Sequence, residues 1–493
     1  MARADEERRV EQAVPFRKPS TMRFRSYFIA RALSVILAFG ALNAQPADQA
    51  ELAALRAQVR QLEEQLQAIK ARLDAKAGPP SPPQSSPQED PADSQGRAAA
   101  AVISVNDRGY TLASADGKNV LQPKALIQVD GRFFFHDGGL VNDTWALRKA
   151  RLIAEGKLGR AYGFQFITEF GGSAVSVLDA NITAEIIPGL IFKAGKFKTP
   201  VGLEVLVPDH ATTFLERTIL SGFMPNRDIG IQLSGEMGAG RVSYTAGIFN
   251  GVADGANSTN ADFDENKDFV GRVLVRPFLQ ATRSPWRGLM VGLAGSQGRQ
   301  KTAAGRTAGY RTDGQQFFFT YHSGVVADGL TWRLAPQLDY RMGPLALMGE
   351  YVISAVNVST TTGGPRSELK HRAWETTVSY VLTGEDSLAS GLVPRKPFDL
   401  PAGTWGALEI VARMANARLA DGSFPIFADP STNASSARAI AVGLNWHWSK
   451  AYRVMINALE TRFSHPPATP LVAPAPLLQH GERAIVSRLQ FSF

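Results

Sequence analysis

L-D-A-N-I-T-A-E-I-I-P-G-L-I-F-K-A-G-K-F-K-T-P-V-G, residues 178–202, is the stretch that decides the fold. Leu178, Ala180, Ile182, Ala184 and Ile186 alternate with Asp179, Asn181, Thr183 and Glu185. Successive side chains of a strand point to opposite faces, so this run is a strand with one apolar and one polar side. Pro188 and Gly189 supply a short turn, and a second strand returns over residues 190–198 carrying Lys193, Lys196 and Lys198. Two strands, a tight turn and a charged polar face are what a water-filled β-barrel in a membrane requires.

Composition supports many short strands. The 493 residues include 27 Phe, 10 Tyr, 7 Trp and 45 Gly. The chain has no Cys, which excludes a disulfide framework and thiolate metal sites and suits export through an oxidising compartment. The net charge of +8 is compatible with nucleic acid, an anionic membrane or anionic solutes. From residue 100 onward 39 Lys+Arg are interspersed with 33 Asp+Glu, and no basic cluster is long enough for a nucleic-acid footprint. Arg outnumbers Lys there by 27 to 12. Guanidinium groups hold planar anions in a fork, so the bias favours an anion-handling lumen, although the codon usage of a GC-rich genome would produce it too.

Residues 1–44 read as a leader. Met22 opens a basic start, residues 32–42 are apolar, and A-L-N-A follows at 41–44. This is the pattern of a secretory signal peptide, with Met22 as the expected start and cleavage near Ala44. The apolar run is too short to span a bilayer. Residues 45–77 carry a heptad seam, with Leu52, Val59, Leu66 and Leu73 at a, and Leu55, Leu62 and Ile69 at d. So short a helix needs partners, which predicts a periplasmic coiled coil and an oligomer. Residues 78–99 are rich in Pro and Ser and predict an extended spacer.

Residues 100–493 predict strands throughout. Phe164, Phe166, Thr168 and Phe170 oppose Gln165, Ile167 and Glu169. Leu330, Trp332, Leu334, Leu338 and Tyr340 oppose Thr331, Arg333, Gln337, Asp339 and Arg341. Ile440, Val442, Leu444, Trp446 and Trp448 oppose Ala441, Gly443, Asn445 and His447, and the final strand sets Ile485, Leu489, Phe491 and Phe493 against Val486, Arg488, Gln490 and Ser492. Short turns (188–189, 342–344) contrast with long polar loops at 250–267, 299–314, 360–370 and 387–404. That asymmetry marks an outer-membrane barrel. At ~9–11 residues per spanning strand, and about 22–25 with connections, this region predicts an all-β transmembrane fold. The expectation is an antiparallel outer-membrane β-barrel of about 16 strands enclosing an aqueous channel, preceded by the N-terminal coiled-coil helix. A soluble sandwich or propeller would leave the leader and the aromatic residues near strand ends unexplained.

Several runs resemble the phosphate-selective porin O/P family of outer-membrane channels. They are W-A-L-R-K-A-R-L at 145–152, G-K-F-K-T-P-V-G-L-E at 195–204, W-E-T-T-V-S-Y-V-L-T-G-E-D at 374–386, W-G-A-L-E-I-V-A-R at 405–413 and G-L-N-W-H at 443–447. The resemblance covers roughly residues 126–493. It implies a 16-stranded barrel, a homotrimer in the Gram-negative outer membrane, and passive uptake of anions, with phosphate or polyphosphate as substrates. The ending R-L-Q-F-S-F resembles the signal that barrel-assembly machinery reads through a terminal Phe, here Phe493.

In such a family arginines lead anions inward and lysines hold them at the constriction. On that resemblance the candidate pore-lining residues are Arg148, Lys149, Arg151, Lys193, Lys196, Lys198, Arg217 and Arg227. Strict alternation cannot place Arg148 and Lys149 on one face, so one of them faces a subunit contact or lies beside a bulge. Lys193 and Lys196 have opposite parity, whereas Lys196 and Lys198 share one. A charge at the lipid midplane costs ~2–4 kcal/mol, so each lysine should be luminal or at an interface. Residues 202–213 contain no Lys or Arg, whereas phosphate-specific members place a lysine in the constriction loop.

No enzyme is expected. The seven His are scattered without an H-E-x-x-H pair, and neither a G-x-S-x-G elbow nor a G-K-[ST] phosphate loop occurs. Asp262, Asp264, Asn266 and Asp268 alternate like the start of a calcium loop, but the glycine and the closing glutamate are missing, so a solvated loop is expected. No metal or cofactor is expected. The expected partners are outer-membrane lipid, copies of the same chain and small anions as permeants. Two other readings compete with the anion porin: a structural barrel tethered to the cell wall by its coiled coil, with incidental pore activity, and a barrel enzyme such as a lipase.

Overall fold

A computed structural model describes residues 101–106, 109–135, 142–260, 262, 264–302, 307–466 and 481–493. The expected signal peptide, coiled coil and Pro-rich spacer lie outside the described residues.

Sixteen antiparallel strands close into a barrel. The first eight are β3 (Val120–Phe135), β4 (Thr144–Leu158), β5 (Tyr162–Glu169), β6 (Ser176–Ile187), β7 (Leu190–Lys198), β8 (Arg227–Met237), β9 (Val242–Phe249) and β10 (Asp268–Val275). The other eight are β11 (Leu289–Lys301), β14 (Val326–Met342), β15 (Leu345–Ser359), β16 (Ser367–Val381), β17 (Ala407–Arg418), β18 (Ser436–His447), β19 (Tyr452–Ser464) and β20 (Glu482–Ser492). Each pairs with its neighbour in sequence order. β20 pairs with β3 over Arg483↔Phe135 to Ser492↔Leu126, which leaves the barrel no free edge. A hairpin of β1 (Val102–Asn106) and β2 (Gly109–Ala113) precedes the barrel and pairs with β3 at Leu112↔Leu121 and Ala113↔Val120.

Alternation sets the two faces. Ile182 (63% exposed), Leu152 (60%) and Val442 (53%) point outward, where only lipid makes such exposure favourable. Asp179, Arg333, Asn445 and Arg488 point inward and are buried. Trp286, Tyr340, Trp405, Trp446 and Tyr452 gather toward the short-turn end, as residues of an interfacial girdle do. The quoted hairpin is β6–β7, turned at Gly189 with φ of 84°, a left-handed value that glycine adopts without strain. Among the described residues no helix is long and apolar enough to cross a membrane.

The alternation fails at the edge of the deciding stretch. The β5–β6 register slips between Ile167↔Asp179 and Thr168↔Val177, so Leu178 sits on a bulge and is buried rather than lipid-facing. The loop expectations also need correction. β11 runs to Lys301, and beyond it β12 (Gly309–Arg311) pairs with β13 (Phe317–Thr320) in a hairpin that buries Tyr310, Phe318 and Phe319. β16 begins at Ser367, so Lys370 lies in a strand rather than a loop. The connection 382–406 emerges from the short-turn end, which outer-membrane barrels turn toward the periplasm. Its Ser390, Gly391, Leu392 and Val393 line a cavity inside the bore.

The bore is therefore not a uniform wet tube. The β7–β8 connection, residues 199–226, folds inward and buries Val201, Val205, Leu215, Leu220, Phe223 and Met224. That sequence is too apolar for a solvated loop, and the space inside a barrel is where it escapes water. Phe223 stacks on Tyr310 of the β12–β13 hairpin at 4.0 Å between ring centres and 7° between planes. Phe318 and Phe319 complete the apolar filling near the long-loop end.

Candidate functional site

The inward segment 199–226 positions the site. It enters through Thr199 and Pro200 and forms a single helical turn, α1 (Leu203–Leu206). The N–H groups of Leu203 and Glu204 donate to the Glu350 carboxylate of β15 at 2.7 and 3.3 Å. A carboxylate at a helix start satisfies donors that have no partner within the helix. Glu204 in turn contacts Arg413 of β17, and Gln337 of β14 donates to the Val201 carbonyl at 2.5 Å. The segment is thus pinned to the β14–β17 wall. Its other side, carrying Asp209, faces β4, β7 and β8.

Asp209 is 7% exposed and collects cations. Arg151 donates to its Oδ2, Arg217 lies 2.7 Å and Lys149 3.1 Å from its Oδ1, and Arg227 lies 4.0 Å from its Oδ2. Burial pushes the Asp209 carboxyl up, but Arg217, Lys149, Lys198 and Arg151 outweigh it and hold the group well below the usual carboxylate range. Further carboxylates moderate the cations: Arg227 donates to Asp179 at 2.7 Å and Arg151 to Glu169 at 2.6 Å. Toward the long-loop end Glu216 accepts from Arg148 at 2.5 Å and from Arg132 at 2.7 Å. Burial raises the Glu216 carboxyl, but Arg148, Arg488 and Arg132 bring it down to about 2.

Beside the Asp209 cluster, toward the short-turn end, lies a cavity of about 1220 Å³. Its walls carry Lys124, Arg151, Lys193, Lys198, Arg227, Arg272, Lys450 and Arg453 against Glu155, Asp179 and Asp209. His210 also lines it; burial, and then Arg453, lowers the imidazole and keeps it neutral at pH 7.

The structure brings together most of the residues singled out from sequence. Arg148 and Lys149 are reconciled by a bulge: Gln128 pairs with Lys149 and Val129 with Leu147, so Arg148 is the extra residue and both neighbours reach the segment. Arg151, Arg217 and Arg227 surround Asp209. Lys193 lines the cavity with its ammonium 4.5 Å from the Phe197 ring centre. Lys198 also lines the cavity, donating to the Val205 and Val207 carbonyls at 2.7 and 3.2 Å, although parity groups it with Lys196. At the end of β7 the chain bends inward toward Pro200, which breaks the alternation.

Lys196 is the candidate not brought to the bore. It pairs with Ala180 and Ile229, which share the outer face with Ile182 and Ile231. Its ammonium donates to the Ser258 carbonyl at 2.7 Å.

Sequence reasoning missed Asp209, Asp179, Arg453 and Arg413. Asp209 was the most accessible of these, because an acid within an apolar, base-free loop has to find its counter-charges elsewhere. In the calcium-like run, Asp262 contacts Lys267 at 2.6 Å and Asp264 accepts the Lys301 and Asn266 N–H groups, so these carboxylates are already engaged. Among the described residues no cluster of acids and histidines is arranged to hold a metal ion.

The chain is similar to several known proteins. An uncharacterized protein of Caulobacter vibrioides is 28% identical over 281 residues, covering 51% of this chain and 56% of the relative, so the match spans little more than half of that protein. The outer-membrane channel DcaP of Acinetobacter baumannii is 9% identical over 77% of this chain and 99% of its own, with a TM-score of 0.49. OmpF of Salmonella typhi, solved with daunomycin, is 11% identical over 80% and 100%, with a TM-score of 0.48. The family model for phosphate-selective porin O and P matches residues 127–493, from β3 through β20. The chain belongs to the phosphate-selective porin O and P family.

Proposed function

We propose that the protein is an outer-membrane porin through which small anions diffuse passively, working as a homotrimer. The observation that carries this reading is the charge of the cavity wall: eight cationic side chains against three carboxylates. Low-dielectric walls lined with one sign of charge concentrate the opposite ion, so the cavity raises local anion concentration without any energy input. Among the described residues no carboxylate lies within ion-pair distance of Lys193, Lys198, Arg272 or Arg453, which instead donate to carbonyls, to Gln337 or Gln490, or lie over a ring. Small anions in general, rather than phosphate in particular, are the proposed solutes, since residues 202–213 of the inward segment carry Asp209 and no Lys or Arg.

Reversal potentials across planar bilayers in a KCl gradient test this. The chloride sign is expected, and a potassium sign overturns the anion reading. Light scattering of the detergent-solubilised protein tests the trimer, which a monomeric mass removes. Absent conductance, together with cell-wall binding by residues 45–97, would support the tether instead.

A further inference from the structure

Asp209 does more than balance charge. Its Oδ1 lies 2.7 Å from Arg217 and 3.1 Å from Lys149, yet accepts no well-aligned hydrogen bond from either. Among the described residues the one directed bond to this carboxylate comes from Arg151, on Oδ2. A buried carboxylate held mainly by charge is replaceable, because a competing anion needs no particular set of donors already satisfied. The cluster also borders the cavity, which Asp209, Arg151 and Arg227 all line, so a solute in the cavity can reach it.

The charge count points the same way. Asp179 and Glu169 offset Arg227 and Arg151, leaving Lys149 and Arg217, with Lys198 nearby, facing the single charge of Asp209. A one-for-one exchange with a monoanion restores the resting balance. The space among the four cations is filled by a planar group with two oxygens. We infer that Lys149, Arg151, Arg217 and Arg227 form a binding site for small monocarboxylates, which the chain's own Asp209 occupies at rest as a tethered competitor. This rests on the anion-channel reading and adds the ligand class and a built-in block. Permeating anions pass by displacing Asp209 toward solvent.

The test is bilayer recording of the full chain in chloride, with acetate or phosphate added. Asp209→Asn empties the site of its competitor, so acetate is expected to reduce chloride current saturably at concentrations at least tenfold below those needed for the wild type. Phosphate is expected to act more weakly than acetate. Asp209→Glu keeps the carboxylate and is expected to match the wild type. Should Asp209→Asn fail to assemble, Arg217→Gln reports instead, and its acetate sensitivity is expected to fall severalfold below wild type. Equal acetate sensitivity in wild type and Asp209→Asn, or unchanged sensitivity in Arg217→Gln, overturns the inference. Phosphate acting as strongly as acetate overturns the ligand class. A potassium-selective wild type removes the channel reading itself, a result separable from these because it requires no variant.

Discussion

Two ionic pockets flank the inward segment, and each inverts the other. On the β4–β8 side one acid, Asp209, stands among Lys149, Arg151, Arg217 and Arg227. On the β15–β17 side one base, Arg413, contacts Glu204 and stands 3.5 Å from Asp313 and 3.7 Å from Glu375. Arg413 also donates to Thr377 and to the Glu216 carbonyl, and its guanidinium lies 4.3 Å from the centre of the Phe214 ring. The Asp209 pocket borders the cavity, whereas Arg413 and Glu375 are sealed from solvent. The difference teaches a division of labour. A buried cluster that holds parts together is best sealed, and one that exchanges partners must open onto water.

The largest effect should come from breaking the sealed pocket. Arg413→Met leaves Glu204, Asp313 and Glu375 unpaired, and losing one partner of a buried ion pair costs about 3–5 kcal/mol. The expected outcome is a segment that no longer docks, seen as a lower melting temperature and a larger, noisier conductance. A quiet channel of normal stability would show that the two pockets do not differ as described.

Asp209→Asn should have the next largest effect, and on another axis. The anion-to-cation permeability ratio is expected to rise severalfold, with a smaller loss of melting temperature than Arg413→Met produces. If the two variants destabilise equally, the contrast between sealed and exchangeable pockets fails.

Acidity sharpens the comparison. Burial pushes Asp313 up from 3.8 to about 6, with Arg413 pulling it back and Glu204 pushing it further. A carboxyl whose pKa rises on docking binds its proton more tightly in the docked state, so the contact is strongest below pH 3.8 and weakens as pH climbs through about 6. A rise of this size corresponds to about 3 kcal/mol. Current fluctuations are therefore expected to be more frequent at pH 8 than at pH 5, with Asp313→Asn reducing the difference. Glu216, held at about 2, should contribute nothing over that range.

The smallest effects separate the lysines of β7. Lys193→Gln is expected to lower the permeability ratio about twofold, in line with loss of one focusing charge. Lys196→Gln, on the outer face, should leave it unchanged, and a matching drop would place Lys196 in the conducting path.

Much of the barrel was legible because lipid and water impose a period of two. The faces of β14, β18 and β20 follow the alternation, and strand number follows from length. The failures cluster where that period breaks. The bulges at Leu178 and Arg148 each insert one residue without a compositional mark. The hairpin β12–β13 was hidden because Gly- and Thr-rich residues around 302–314 look like a solvated loop, although Tyr310, Phe318 and Phe319 had to be buried somewhere. The basic half of the site could be read from its lysines and arginines. Its acidic half could not, because Asp209, Asp179 and Glu169 lie on three separate elements and meet only once the barrel closes.

The connection 382–406 reaches into the cavity from the end opposite to the mouths of the long loops. Gly391 comes close enough that an added methyl would sit 3.4 Å from the side chain of Ala211. The bore is thus narrowed by two elements rooted at opposite ends of the barrel, and trimming residues 390–393 would widen the passage without removing a charge.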